Sequence, residues 1–188
     1  MNFAFVNAVV ILMKEEVIEL INQARADRRK GDLLHARTLL DLAVQLTHEH
    51  DHHAKGTLYN LYAQLHRDEK SMEKAIEMYT LALSAFQKED SELDVAHTLR
   101  HLADIETELG QNEKAREKYA RVLKIYNDHP DVNKVNLANA LRGQAILMEH
   151  INNNAEAVKS WKEAQKIYKE AGITAGVDEC KRHLQSQD

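Results

Sequence analysis

The chain has 188 residues, of which 44% are hydrophobic and 29% charged, a balance that suits one globular domain or one short repeat array. Its net charge of −5 argues against bulk binding of nucleic acid, which requires a large basic surface. The single cysteine permits no internal disulfide and fits a reducing compartment, so we expect a cytoplasmic protein.

The chain begins with an apolar segment, residues 1–13 (MNFAFVNAVVILM), in which eleven of the thirteen residues are apolar. A helix needs about 20 residues to span a bilayer, so this segment is too short to be a membrane anchor. It also lacks the basic start and the cleavage site of a secretory signal. An ordered segment that is apolar all round must be buried against something. We therefore predict an N-terminal extension that docks on a second copy of the chain, or lies in a groove, and supports a homodimer. The alternative is that Met13 is the biological start.

After residue 13, apolar residues recur at spacings of three and four, the period of a helix that is buried on one face. Ile76, Tyr79, Leu83 and Phe86 are one such stripe. The pattern predicts helices over residues 14–30, 33–48, 54–69, 71–88, 92–109, 112–127, 132–151, 154–171 and 174–186. The last of these carries apolar residues on one face and is predicted to cap the end of the array.

Tight turns separate the two helices of each predicted pair. Gly31, Gly110 and Asn152 stand at three of these turns, and each can adopt the left-handed conformation that ends a helix. Lys70 stands at the fourth turn and departs from this pattern.

An internal repeat organises these helices. One alanine returns at intervals of 39, 40 and 42 residues, as Ala36, Ala75, Ala115 and Ala157. Twelve residues before each comes a second alanine, and these are Ala24, Ala63, Ala103 and Ala145. A large apolar residue follows four positions after the first, as Leu40, Tyr79, Tyr119 and Trp161. Such self-similarity is typical of stacked two-helix units, in which small residues allow the helices to cross closely.

These positions resemble the tetratricopeptide repeat, most clearly at Ala103, Gly110, Ala115, Tyr119 and Val122. The resemblance covers roughly residues 14–171. It implies an all-α, right-handed α-solenoid of about four helix-turn-helix units, forming with its capping helix one domain over residues 14–188. The family also implies a non-catalytic scaffold for protein–protein interaction.

The 39–42 residue period exceeds the common 34 and is similar to that of kinesin light chain-type repeats. Leu58–Ala63 and His129-Pro130 echo motifs of that subgroup. The clamp with which one subtype of the family grips chaperone tails is absent, because the matching positions hold Ile21 and Arg25, Leu61, and His97 and His101. We therefore do not expect chaperone-tail binding.

In this architecture the first helix of each unit lines a concave face, and the resemblance places eight polar side chains on it. They are Asn60, Gln64, Arg67, His97, Arg100, Asp104, Asn139 and Arg142. Arginine forks bind carboxylates in bidentate fashion, so we expect a groove for a protein or peptide ligand that favours acidic segments. The alternative is a solvated polar face with internal ion pairs, such as Arg100 with Asp104 at helical spacing.

Other candidate sites favour ordinary interpretations. The run His48-Glu49-His50-Asp51-His52-His53 is interpreted as an exposed turn with incidental metal affinity, and we expect no metal and no cofactor. The sequence holds no glycine-rich phosphate loop and no nucleophile elbow, and Cys180 lies on the apolar stripe of the last helix. We expect no enzymatic activity and no nucleic-acid or membrane partner. The second hypothesis for function is a self-associating structural protein, held together by residues 1–13.

Overall fold

The structure is a computed structural model that describes residues 3–129 and 132–186, with only the backbone described over residues 3–10. That part of the chain folds into nine α-helices and contains no β-strand. The helices are α1 (Phe3–Lys30), α2 (Leu33–Leu46), α3 (His52–Asp68), α4 (Met72–Gln87), α5 (Glu92–Glu108), α6 (Asn112–Asp128), α7 (Lys134–His150), α8 (Asn154–Glu170) and α9 (Thr174–Gln185). The predicted all-α class is confirmed.

Eight of the nine helices begin and end within two residues of their predicted bounds. The exception is α1, which begins at Phe3 instead of residue 14 and runs without a break for 28 residues. The predicted extension is therefore helical from Phe3 onward and continuous with the first helix of the repeats.

The turns that follow α1, α3, α5, α7 and α8 all close in the same way. In each turn a backbone N–H donates to the carbonyl five residues earlier at 2.8–3.0 Å, and the residue before the donor has a positive φ. These left-handed residues are Gly31, Lys70, Gly110, Asn152 and Gly172. Lys70 adopts the same conformation as the glycines, with a φ of 64°, although its Cβ makes that conformation unfavourable.

The chain separates into two compact units, residues 1–91 and 92–188. In the first unit α1 packs on α2, and α3 packs on α4. The repeat alanines lie at these crossings with 0–2% of their surface exposed, as seen for Ala24, Ala36, Ala63 and Ala75. At Gly56 the approach is closer still, since a Cβ there would lie 2.7 Å from the Phe86 ring. The small residues thus set the distance between the paired helices.

In the second unit α5 packs on α6, α7 packs on α8, and α9 packs on α8. Tyr119 and Trp161, at the repeat position four residues after the alanine, are fully buried. Gly143 on α7 lies against Tyr119, and an added Cβ would come within 2.8 Å of its Cε1 atom. Cys180 is the fully buried residue of α9.

The N-terminal half of α1 extends past its partner helix. At 1.5 Å per residue α1 is about 42 Å long, whereas α2 is about 21 Å long. Val17 is the first buried residue of α1 among those whose side chains are described, and every residue from Ile11 to Glu16 is exposed. No described helix is long and apolar enough to cross a lipid bilayer.

Candidate functional site

Three of the eight predicted binding residues lie on α3, in the first unit. The helix begins where the Asp51 side chain accepts a hydrogen bond from the Ala54 N–H at 2.9 Å. Asn60 is buried, and Gln64 and Arg67 are half-buried at successive turns of the same helical face. The structure therefore presents these three side chains as a polar stripe along α3.

Arg100 and Asp104 lie on α5, in the second unit, and form an ion pair. Arg100 Nη1 donates to Asp104 Oδ2 at 2.9 Å, and the two side chains are only 11% and 15% exposed. The other oxygen of Asp104 accepts from the Tyr119 hydroxyl at 2.6 Å. Burial, together with the Asp104 charge, raises the pKa of Tyr119, so the hydroxyl stays protonated as a donor.

Other groups fix the Arg100 side chain further. Its Nη2 lies 2.8 Å from the Nε2 atom of His101, and the His101 ring meets the His97 ring edge to face with centroids 4.8 Å apart. Among the described residues, the buried Nε of Arg100 has no hydrogen-bond acceptor. The guanidinium is thus held in place by groups of its own chain.

Arg142 and Asn139 lie on α7, which contacts α5 within the second unit. Arg142 binds Glu179 of α9 in bidentate fashion, with Nε and Nη2 donating to its two oxygens at 2.7 and 2.6 Å. This pairing lowers the pKa of Glu179 and raises the pKa of Arg142, so both groups keep their charges. Asn139 Oδ1 accepts from the Tyr168 hydroxyl at 2.7 Å, and burial raises the pKa of Tyr168 to about 12.

Residues 94–170 match the family model described as tetratricopeptide repeat. This part of the chain therefore consists of tetratricopeptide repeats. The matched residues run from the first turn of α5 to the end of α8 and so include both helical pairs of the second unit.

One solved structure has a similar fold over nearly the whole chain. The crystal structure of BtubC (BKLC) from P. vanneervenii superposes with a TM-score of 0.60 at 20% sequence identity. The similarity covers 94% of this chain and 90% of that one. At this identity the likeness concerns the fold alone. No curated protein matches the chain significantly.

The sequence predicted the partner of only one of the two arginines, Arg100 and Arg142. The Arg100–Asp104 pair follows from helical spacing, and it is the internal pairing that the sequence offered as the alternative to a ligand site. Glu179 was not foreseen, because it lies 37 residues from Arg142 on another helix. Tyr168 was not foreseen as the partner of Asn139 for the same reason.

Sequence reasoning also missed a second polar cluster beneath α9. The Trp161 indole donates to Glu149 at 2.8 Å, and His183 Nδ1 lies 3.0 Å from the same carboxylate. The His183 and Trp161 rings stack with centroids 4.2 Å apart. The one signal in the sequence was that tryptophan replaces tyrosine at this repeat position.

The histidine-rich turn connects α2 to α3. His50 Nε2 lies 3.2 Å from Glu49, and both side chains are more than three-quarters exposed. Among the described residues, no three His, Cys, Asp or Glu side chains converge on a position that would hold a metal ion. Burial raises the pKa of Cys180 to about 11, so its thiol is protonated near neutral pH and is a poor nucleophile.

Proposed function

We propose that the chain is a non-catalytic, cytoplasmic scaffold that binds a protein or peptide with acidic side chains on the surface formed by α5 and α7. Tetratricopeptide repeats generally mediate protein–protein interaction, and stacked repeats offer extended binding surfaces. The observation that carries the acidic preference is the pair of arginines, one on each of these neighbouring helices, each already oriented by a carboxylate of the protein.

The arginines are ordered before any ligand arrives. Arg100 is held by Asp104 and Arg142 by Glu179, so a ligand would not have to immobilise two flexible side chains. The bidentate contact of Glu179 also demonstrates that a carboxylate fits against Arg142. An acidic ligand side chain would replace Glu179 there, because the Arg142 side chain is 38% exposed.

The test uses two substitutions that should act in opposite directions. Arg142→Gln removes the guanidinium and should weaken binding of glutamate-rich peptides about tenfold, the size of one charge-assisted hydrogen bond. Glu179→Gln removes the internal competitor and should strengthen binding. Fluorescence anisotropy with a library of labelled acidic peptides, and a lysine-rich library for comparison, measures both effects.

Arg116→Gln provides the matched control, because Arg116 is a mostly exposed arginine on α6 of the same unit. It should leave the affinity unchanged. The proposed surface is wrong if no acidic peptide binds the native chain. It is also wrong if Arg142→Gln and Glu179→Gln both leave the affinity unchanged, as Arg116→Gln should.

The second candidate function is self-association through the N-terminal apolar segment. It is favoured by the exposure of Ile11 (57%) and Leu12 (63%), which belong to the part of α1 that extends past α2. Each large apolar side chain left in water forgoes about 1.5–3 kcal/mol of burial. Light scattering at micromolar concentration should give a dimer for the full chain and a monomer for a chain that starts at Met13. A monomeric full chain would exclude this function.

A further inference from the structure

The first unit contains an open apolar groove between α1 and α3. It has a volume of about 570 Å³, and the C-terminal end of α2 forms its floor. Its apolar lining includes Met13, Ile18, Ile21, Leu46 and Ala54. Ile18 on the rim is 58% exposed. Apolar clefts of this size are usually covered by a ligand or a partner.

A second apolar element, in the sequence of the same helix, continues from the wall of the groove. Residues 3–12 of α1, which we call the overhang, contain no charged residue. They continue the same helix that forms one wall of the groove, and Ile11 and Leu12 at their end are more than half exposed. The first unit therefore has both an open apolar groove and, in the same helix, a charge-free segment that ends in two exposed apolar residues.

The overhang cannot fill the groove of its own chain. Met13, Ile18 and Ile21 line the groove from α1, and the overhang leaves them in the opposite direction along one unbroken helix. To reach its own groove, the helix would have to break and fold back. The two apolar elements can meet only between two chains.

We propose that this groove receives the overhang of a second copy of the chain, so that two α1 helices pair antiparallel about a two-fold axis. The inference rests on the self-association candidate above and names the surface at which it takes place. A two-fold arrangement uses the same patch on both copies and buries both overhangs and both grooves at once.

The lengths of the two elements agree. The α1 wall of the groove extends from Met13 to Arg25, about 18 Å at 1.5 Å per residue. The ten residues of the overhang span about 15 Å on the same scale. When the axis passes between Lys14 and Glu15, Ile11 of one copy faces Ile18 of the other. The overhang then lies alongside the groove wall for its whole length.

The polar groups in this register are also complementary. Lys14 of each copy faces Glu15 of the other, which gives two reciprocal ion pairs at the axis. In the single chain Lys14 is largely exposed and lies 3.7 Å from Asp51. Asn7 of the overhang comes opposite Asn22, a polar residue in the lining of the groove. The overhang itself brings no charge into the groove.

The first experiment compares the mass of three chains by light scattering between 1 and 100 µM. The native chain should be a dimer, and Ile18→Glu should weaken dimerisation at least thirtyfold, because a carboxylate would face Ile11. Leu34→Glu is the matched control, since Leu34 is 78% exposed on α2 outside the groove. It should remain a dimer. Circular dichroism should show native helix content in all three chains.

The second experiment tests the register. A mixture of Ile11→Cys and Ile18→Cys chains, treated with diamide, should form a disulfide-linked dimer faster than either chain alone. The buried Cys180 should contribute little background. Equal rates in the mixture and in the separate chains would overturn the antiparallel register.

The outcomes distinguish docking in this groove from self-association through another surface. If Ile18→Glu dimerises as tightly as the native chain while a chain starting at Met13 is a monomer, the groove is not the docking surface and self-association stands. If the native chain is a monomer at 100 µM, both fail. Loss of the dimer in Leu34→Glu as well would also overturn the specific role of the groove.

Discussion

The two terminal helices close their units in different ways. α9 is short and amphipathic, with Cys180 buried, Val177 and Leu184 partly buried, and its polar face in solvent. Glu179 and His183 contact Arg142 and Glu149 of α7, and the His183 ring stacks on Trp161 of α8. α1 is more than twice as long and continues into an overhang without charges. A helix that is apolar on one face can cap a stack within its own chain, whereas one that is apolar all round requires a partner.

The largest loss of stability should come from substituting Trp161, the buried residue on which α9 packs. Trp161→Ala removes a fully buried ring that stacks on His183 and donates to Glu149. We expect it to lower the free energy of unfolding by about 3–5 kcal/mol. Leu34→Ala, at an exposed position of the first unit, should change it by less than about 0.5 kcal/mol. Urea titration measures both, and equal losses would contradict the packing described for α9.

A smaller effect should come from detaching α9 while leaving the core beneath it unchanged. Gly176 faces the Tyr168 ring, and a Cβ there would lie 2.7 Å from the ring atoms. Gly176→Leu should therefore cost about 1–3 kcal/mol. Hydrogen exchange should become faster in α9 and remain unchanged in α5 and α6. Native protection of α9 in this variant would mean that the helix does not depend on this close contact.

The attachment of α9 should also depend on pH, with a defined sign. The pKa of Glu179 is lowered from its ordinary value of 4.5, chiefly by its hydrogen bonds to Arg142. A lowered carboxyl pKa means that the stabilisation is fully present above about pH 4.5 and is lost as the pH falls through the folded-state pKa. α9 should thus lose protection in acid, and Glu179→Gln should remove this part of the pH dependence. Identical acid profiles for the two proteins would contradict the role of the ion pair.

The smallest effect concerns the turns, which are alike in both units. Lys70 adopts a left-handed conformation that glycine occupies at three equivalent turns. Lys70→Gly should therefore stabilise the fold by about 0.5–1 kcal/mol. Lys124→Gly, at an exposed position inside α6, should destabilise it by about 1 kcal/mol. The opposite signs can be read from thermal melts. If both variants are less stable than the native chain, the Lys70 side chain stabilises the fold by more than its left-handed backbone destabilises it.

Local patterns predicted most of the fold, because they arise from contacts between close neighbours in the chain. The alanines at helix crossings and the left-handed turn residues follow from helical period and backbone sterics. The start of α1 at Phe3 was missed, because the apolar segment has no polar face from which helical period could be read. A change in composition at residue 13 was interpreted as a boundary, although helical backbone continues through it.

The polar contacts of the candidate site could be predicted only where both partners lie on one helix. Arg100 and Asp104 are four residues apart, and their ion pair follows from spacing alone. Arg142 and Glu179 are separated by 37 residues, and Glu149 and His183 by 34. Those pairs depend on how α9 packs against the rest of the second unit. A single sequence contains no signal that links such positions.

Hydrogen exchange at two concentrations tests most directly whether the two ends are closed differently. The full chain would be labelled at 100 µM and again at 0.1 µM, and exchange would be compared in residues 11–21 of α1 and in α9. The account predicts that dilution speeds exchange in the α1 residues, because they lose the second copy, and leaves α9 unchanged, because its partners belong to its own chain. Exchange in α1 that is the same at both concentrations, or an equal change in α9, would contradict it.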